Sequence, residues 1–268
     1  MMTRIGLIAG NRRFPLLFAS EAKKKNYSVV AVAIKGETDP NLSNFVEKIY
    51  WIGLEDFSRA FKVFQDENIT DVVMAGQISP RQLFRPKVRN SAQIKSLLEA
   101  LEDKRADTIF KAIANKLEEH KIKLLDSTFL LRKFLPNKGV LTRNQPEARQ
   151  WEDINLGLKI AKEIAGLDIG QTVAIKDKAI VAIEALEGTD NLIRRAGRIT
   201  RKGAIVAKVS KPAQDMRFDV PVIGLGTVKN LARAHAAGLV IEAEKTLFID
   251  QEKALKLADK KGIFIVAE

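Results

Sequence analysis

The stretch Ile5-Gly-Leu-Ile-Ala-Gly10, followed by Pro15–Lys25 and then by Ser28-Val-Val-Ala-Val-Ala-Ile34, decides the fold of the first half of the chain. Ile5–Ala9 and the valine-rich run after it are apolar on both strand faces, the pattern of strands covered by helices on both sides. Pro15–Lys25 between them has helical spacing. Strand, helix, strand with the usual right-handed crossover gives a parallel, Rossmann-like layered sheet. Outward from there the pattern continues. Glu55–Glu67 reads as an amphipathic helix and Asp71–Ala75 as an apolar strand ending in Gly76. Helical periodicity dominates Ser91–Glu119, and Lys121–Leu125 closes the unit.

Between Lys133 and Pro146 the periodicity fails, broken by Pro136, Gly139 and Pro146. The expected division is therefore an N-terminal domain over 1–135, a connection over 136–146 and a second domain over 147–268. In that second part Glu147–Ala165 is a helix ended by Gly166. Thr172–Ile175 and Ala179–Ala185 flank a hairpin turn at Lys176–Lys178. Apolar runs follow at Ala204–Val209, Val220–Ile223, Leu239–Ile241, Thr246–Ile249 and Ile263–Val266, with helices at Val228–Ala237 and Gln251–Lys261. The fold class is α/β throughout, with a mixed sheet in the second domain.

The 268 residues mix apolar and charged side chains well, which excludes disorder, and no apolar run is long enough to span a bilayer. The start, MMTRIGLIAG, reads as a first buried strand and not as a signal peptide. There is no cysteine, so disulfides and thiolate metal sites are excluded, and a cytoplasmic location is expected. The net charge of +12 suits nucleic acid, an anionic membrane face or a phosphorylated substrate. Lysines scattered over Glu21–Lys25, Lys159–Glu163 and Lys256–Lys261 read first as solvated helix faces.

Gly6-Leu-Ile-Ala-Gly10 turns a strand into a helix, where amides can approach an anion. The spacing is not that of a dinucleotide fold, because Asn11, Arg12 and Arg13 follow Gly10 and Lys35-Gly36 follow the second strand. A tight turn that needs glycine for backbone reasons explains it as well. The loop Ala75-Gly-Gln-Ile-Ser-Pro80 leaves the same sheet edge, which makes Gly10 and Gly76 candidate ligand contacts.

Ala185–Arg195 runs from an apolar strand through Gly188 into a basic helix that Thr189 or Asp190 can cap. Free amides at that helix start, with Arg194 and Arg195, suit phosphate oxygens, and Glu187 can reach a metal or a hydroxyl. The loop that follows gathers Lys208, Lys211, Gln214, Asp215, Arg217 and Asp219 between two strands, stiffened by Pro212 and Pro221. Fixing so many charges together is costly for a mere connector. Cations neutralise phosphate; carboxylates hold Mg²⁺ or orient water. Gly224, Gly226 and Thr227 make a further turn suited to close approach. The combination points to phosphoryl transfer or pyrophosphate hydrolysis. The two histidines, His120 and His235, lack metal-ligand spacing, and Walker A, G-x-S-x-G and cysteine-nucleophile signatures are absent.

Gly6–Gly10 with Pro15, Ala75-Gly76, Leu167-Asp-Ile-Gly-Gln171, Glu187-Gly-Thr-Asp190 with Arg194-Arg195, and Lys211-Pro-x-Gln214 through Arg217-x-Asp219-x-Pro221-x-Ile-Gly224 together resemble the LpxI family. The resemblance implies a metal-dependent UDP-2,3-diacylglucosamine pyrophosphatase of lipid A biosynthesis, using Mg²⁺ or another divalent cation. It places the family's essential aspartate at Asp219. The catalytic candidates are thus Asp219, Asp215 and Gln214, and the metal candidates Asp219, Asp215 and Glu187. Gly10, Gly76, Gly188, Thr189, Asp190, Arg194, Arg195, Lys208, Lys211, Arg217, Gly224 and Thr227 are the candidates for substrate binding. The basic surface then suits an anionic inner membrane and peripheral association with its cytoplasmic face. Phe129–Leu135 reads as a core-facing helix, with the wall of a lipid groove as its alternative. Nucleic acid is not expected as a partner, and self-association into a homo-oligomer is left open. The competing readings are a nicotinamide-dependent oxidoreductase on the N-terminal sheet and a non-enzymatic nucleic-acid-binding protein.

Overall fold

A computed structural model describes residues 2–79, 82, 85–99, 101 and 106–268. Pro80 of the second glycine loop, and residues 100 and 102–105 of the helix expected over Ser91–Glu119, lie outside the described residues. The chain forms two compact units, one of Met1–Leu131 with Asp215–Asp219 and one of Arg132–Gln214 with Val220–Glu268.

The first unit is built on strands β1 (Thr3–Ala9), β2 (Tyr27–Ile34), β3 (Lys48–Ile52), β4 (Asp71–Ala75) and β5 (Lys123–Leu124), ordered β3-β2-β1-β4-β5. All neighbours run parallel, as the sequence requires. Helix α1 (Phe14–Lys24) packs on β2, and α2 (Arg59–Asp66) on β2 and β3. The amphipathic helix expected from Glu55 starts at Arg59, because Leu54–Asp56 form a separate 3-10 turn after Gly53. Beyond β4 follow α3 (Pro86–Asn90), α4 (Ala92–Glu99) and α5 (Ala106–Glu119). Glu67 gathers Arg4 (2.8 Å), Lys48 (2.9 Å) and the Tyr50 hydroxyl, tying β1, β3 and the end of α2 together. Hydrogen bonds from Tyr50, Arg4 and Lys48 hold its carboxyl at about 2. Phe129–Leu135 is a turn followed by a short 3-10 segment, Arg132–Phe134, not an α-helix. Leu130, Leu131 and Leu135 are buried, and the Phe129 ring lies 6.0 Å from Phe18 and from Tyr27.

In the second unit six strands follow the order β6-β13-β11-β9-β7-β8. They are β6 (Gly139–Val140), β7 (Thr172–Lys176), β8 (Ala179–Ile183), β9 (Ile205–Lys208), β11 (Gly238–Ile241) and β13 (Phe264–Ala267). β9, β11 and β13 are parallel, and β6, β7 and β8 pair antiparallel, which makes the sheet mixed. Residues 136–146, expected as a connection, contribute β6. A separate parallel pair joins β10 (Val222–Gly224) to β12 (Leu247–Ile249).

The period-two rule assigns the two faces. Val173, Ile175, Ile205, Ala207 and Val240 pack with Ile154, Ala161 and Ile164 of α6 (Ala148–Gly166). Ala174, Val206, Leu239 and Ile241 face the other way, toward Leu192 and Ile193 of α7 (Thr189–Thr200), Val228 and Leu231 of α8 (Leu225–Arg233), and Ala254 and Ala258 of α9 (Gln251–Lys260). At the edge where β9 and β11 end, Glu242 accepts from Lys162 Nζ (2.6 Å), Ser210 Oγ (2.6 Å) and Ser210 N (2.9 Å). Burial pushes its carboxyl up, but the Lys162, Lys245 and Ser210 donors outweigh that and hold it at about 2.

Two outcomes follow for stability. A Cβ on Gly10 would lie 2.5 Å from the Gln77 carbonyl oxygen, so Gly10→Ala should destabilise the first unit by about 1–3 kcal/mol. Urea unfolding followed by Trp51 in β3, in a Trp151→Phe background, measures this; an unchanged midpoint contradicts the packing described. Glu242 has a depressed folded pKa, so its contribution is full above its ordinary value of 4.5 and is lost as pH falls toward about 2. Followed by Trp151 in a Trp51→Phe background, Glu242→Gln should lower stability at neutral pH and shrink the acid-induced loss across that window. An acid-induced loss as steep as that of the Glu242 parent counts against the clamp.

Candidate functional site

The second unit presents a buried cation at the carboxyl edge of its parallel strands, where open α/β sheets bind ligands. Lys208 ends β9 and is 8% exposed. Its ammonium donates to Thr189 Oγ1 at 2.9 Å, and no carboxylate among the described residues pairs with it. The Thr189 hydroxyl donates onward to Glu184 Oε1 (2.9 Å) and lies 3.3 Å from Thr172 Oγ1. A buried ammonium held by one neutral oxygen keeps donors available for an anion.

Local sequence builds this arrangement. Gly188, at φ +81°, turns the chain from β8 into α7, so Thr189 stands in the first helical turn beside amides that lack helical acceptors. Glu187 is ion-paired with Arg195, which also donates to the Ile183 carbonyl at 2.8 Å. Arg194 is exposed and donates from Nε to the Asp190 carbonyl at 3.1 Å. The Asp190 carboxylate accepts from Asn230 at 2.9 Å, which ties α7 to α8. Lys211 bridges Asp168 at 2.6 Å, and its backbone N–H donates to Gln214 Oε1 at 2.7 Å. Thr227 Oγ1 accepts from Gly224 N at 3.4 Å at the start of α8.

Asp215–Asp219 clusters with the first unit. The buried Ser127 hydroxyl sits 2.5 Å from the Met74 carbonyl at the end of β4 and 2.7 Å from that of Arg217, while Ser127 N donates to Met216 O (2.9 Å). Phe218 is buried and stacks on Phe110 at 5.5 Å. The segment bearing Asp219 is thereby fastened at the carboxyl edge of the parallel sheet. Both oxygens of Asp215 are taken by Arg217, with Nη2 at 2.8 Å and Nε at 3.0 Å. Burial raises the Asp215 carboxyl, but the Arg217 donors overcome this and leave it below the usual range. Arg217 also reaches Glu118 at 3.6 Å.

At the same edge Gly10 N donates to Ala75 O (2.8 Å) and Asn11 N to Gln77 O (2.7 Å). A Cβ on Gly76, at φ +88°, would lie 2.5 Å from Asn11 O. Both glycines therefore have a packing reason that needs no ligand. Glu37, three residues past β2, accepts from Asn11 Nδ2 (2.5 Å) and Ser79 N (3.0 Å) and joins the two loops. Two amides that a dinucleotide pyrophosphate would use are already bonded.

Of the sequence candidates, the structure joins Lys208 with Thr189, Glu187 with Arg195, Lys211 with Gln214, and Asp215 with Arg217. Among the described residues no three acids or histidines gather as a metal-binding group. Asp215 and Glu187 are each paired with an arginine, Arg217 and Arg195. Sequence reasoning gave no site role to Glu184, Lys162, Ser210, Glu242, Ser127 and Glu37, and quoted Asp168 only as part of a motif. A polar residue closing an apolar run was the available signal for Glu184 and Glu242.

The LpxI N-terminal domain model matches residues 4–134 and the LpxI C-terminal domain model residues 137–266. The UDP-2,3-diacylglucosamine pyrophosphatase LpxI of Caulobacter vibrioides is 30% identical over 275 aligned residues, covering 99% of this chain and 97% of that protein. Among solved structures, N5-carboxyaminoimidazole ribonucleotide synthetase in its ADP complex is 16% identical at a TM-score of 0.29, over 65% of this chain and 32% of that one. The biotin carboxylase domain of Hydrogenobacter thermophilus 2-oxoglutarate carboxylase is 13% identical at a TM-score of 0.30, over 75% of this chain and 42% of that one. The chain spans less than half of either structure, and at these scores the likeness bears no weight. Both family models match in order over nearly the whole length: this chain belongs to the LpxI family.

Proposed function

We propose that this protein hydrolyses the diphosphate of UDP-2,3-diacylglucosamine to UMP and 2,3-diacylglucosamine 1-phosphate, a step of lipid A biosynthesis, on the cytoplasmic face of an anionic membrane. Membership of the LpxI family supports the substrate. The single structural observation that carries the chemistry is the buried Lys208 ammonium, with Thr189 as its one hydrogen-bond partner among the described residues. A diphosphate oxygen seated there completes the donor set and gains charge stabilisation in a site of low dielectric. The first turn of α7, entered through the Gly188 turn, offers amides to the same anion, and Lys211, Arg194 and Arg195 are the further cations the second unit brings to the substrate.

Water attacks one phosphorus, and the bridging oxygen leaves with the other phosphate. We assign Asp219 as the group that orients this water and takes its proton, on the match of Arg217-x-Asp219-x-Pro221 to the family motif. Gln214 supports the step by shaping the Lys211 turn and Asp215 by fixing the Arg217 guanidinium. Dependence on Mg²⁺ or another divalent cation belongs to the same proposal, with Asp219 as the acid assigned to it. The oxidoreductase reading loses ground because the first-loop amides are bonded to Ala75 and Gln77.

Incubation with UDP-2,3-diacylglucosamine and Mg²⁺ should release UMP, and Asp219→Ala should lower turnover by about 100- to 10,000-fold. Chelation of divalent cations should stop the wild-type reaction and Mg²⁺ should restore it. Full turnover by Asp219→Ala, in a variant that keeps the wild-type melting point, contradicts the role given to Asp219.

A further inference from the structure

Apart from Met2, the large apolar side chains exposed among the described residues all lie between 167 and 199. Leu167 is 71% exposed, Ile169 49%, Ile183 40% and Leu186 84%. These four sit on two segments in direct contact, the turn after α6 and the end of β8. A Cβ on Gly170 would lie 2.2 Å from the Glu184 carbonyl oxygen, and Gln171 N donates to the Glu184 carboxylate at 3.4 Å. Polar neighbours on the same segments turn toward the anion site, Asp168 to Lys211 and Glu184 to Thr189. Leucine and isoleucine face water while the acids are tucked in, the reverse of an ordinary surface turn.

Cations border this patch. Arg195 donates to the Ile183 carbonyl itself, and Arg194 is exposed on the adjoining helix. We propose that Leu167, Ile169, Ile183 and Leu186 form the surface by which this protein enters an anionic bilayer, with Arg194 and Arg195 at the level of the headgroups. The inference rests on the lipid substrate proposed above, whose acyl chains lie in that bilayer. It assigns the membrane-facing side to the rim of the Lys208 site, so the headgroup diphosphate meets the buried ammonium from the membrane side. A second copy of the chain is a poorer occupant, because an isologous contact across this patch would set arginines near their own symmetry mates.

The test is flotation with vesicles of phosphatidylethanolamine and phosphatidylglycerol, together with turnover of UDP-2,3-diacylglucosamine in detergent micelles and in those vesicles. Wild type should float, weakening but not vanishing at high salt, since insertion of apolar side chains is not screened. The double variant Leu167→Ser/Leu186→Ser should lose at least about tenfold in vesicle affinity. It should also show a raised KM on vesicle-embedded substrate, with kcat and turnover in micelles at wild-type values, whereas Met2→Ser should change nothing. Failure of wild type to float, or flotation of the double variant at wild-type affinity, overturns the inference. So does a wild-type dimer that the double variant dissociates while flotation is unaffected. Flotation lost in the double variant without hydrolysis by any form in micelles would sink the proposed reaction and leave the membrane surface standing.

Discussion

A lysine ammonium withdrawn from water, with one hydroxyl as its partner among the described residues, is the constraint around which the second unit is arranged. Burying a charge without an opposite charge is costly, and a stable fold tolerates it only with compensation nearby or with a ligand. Lys208 has Thr189 at 2.9 Å, and Thr189 in turn has Glu184. The acid is therefore one hydroxyl removed from the cation. It balances the charge without occupying the ammonium. Thr189 can play this part because Gly188 turns the chain sharply into α7 and sets the hydroxyl at the helix start.

Within each unit further polar contacts act as braces. Lys162, Ser210 and Glu242 fix the chain leaving β9, two residues beyond Lys208. Asp168 and Gln214 hold Lys211 and the turn it begins. In the first unit Ser127 and Phe218 anchor the segment carrying Asp215, Arg217 and Asp219. Apart from the local Lys211–Gln214 turn, these braces join residues distant in sequence, and each leaves a cation or an acid at a sheet edge. Positioning of this kind is what diphosphate hydrolysis demands of a protein, since charge stabilisation supplies most of the rate.

The parallel sheet was legible because β1, β2 and β4 are apolar on both faces, and the mixed sheet because its runs are short and bounded by turns. β3 went unread although Lys48-Ile-Tyr-Trp-Ile52 is rich in strand-forming residues; it lies at the sheet edge and only Ile52 is buried. The charged loop at 208–219 was read as one cluster. Space divides it, because Phe218 carries Asp215–Asp219 into the core of the first unit while Lys208 and Lys211 stay with the second. No local pattern announces such a division. The pairing of Lys208 with Thr189 was half legible, since both residues were singled out but nothing in the spacing joins the end of β9 to the start of α7. The glycines at 10 and 76, read as candidate ligand contacts, are also packed against each other's loops.

Binding of the diphosphate by Lys208 is read from calorimetric titration of UDP into wild type and Lys208→Met. Removing one charged hydrogen bond to a buried anion should weaken binding by about 10- to 100-fold. The thermal midpoint should hold or rise, because the buried charge no longer has to be desolvated. Equal affinity of the two proteins for UDP would mean that the Lys208 ammonium does not hold the diphosphate.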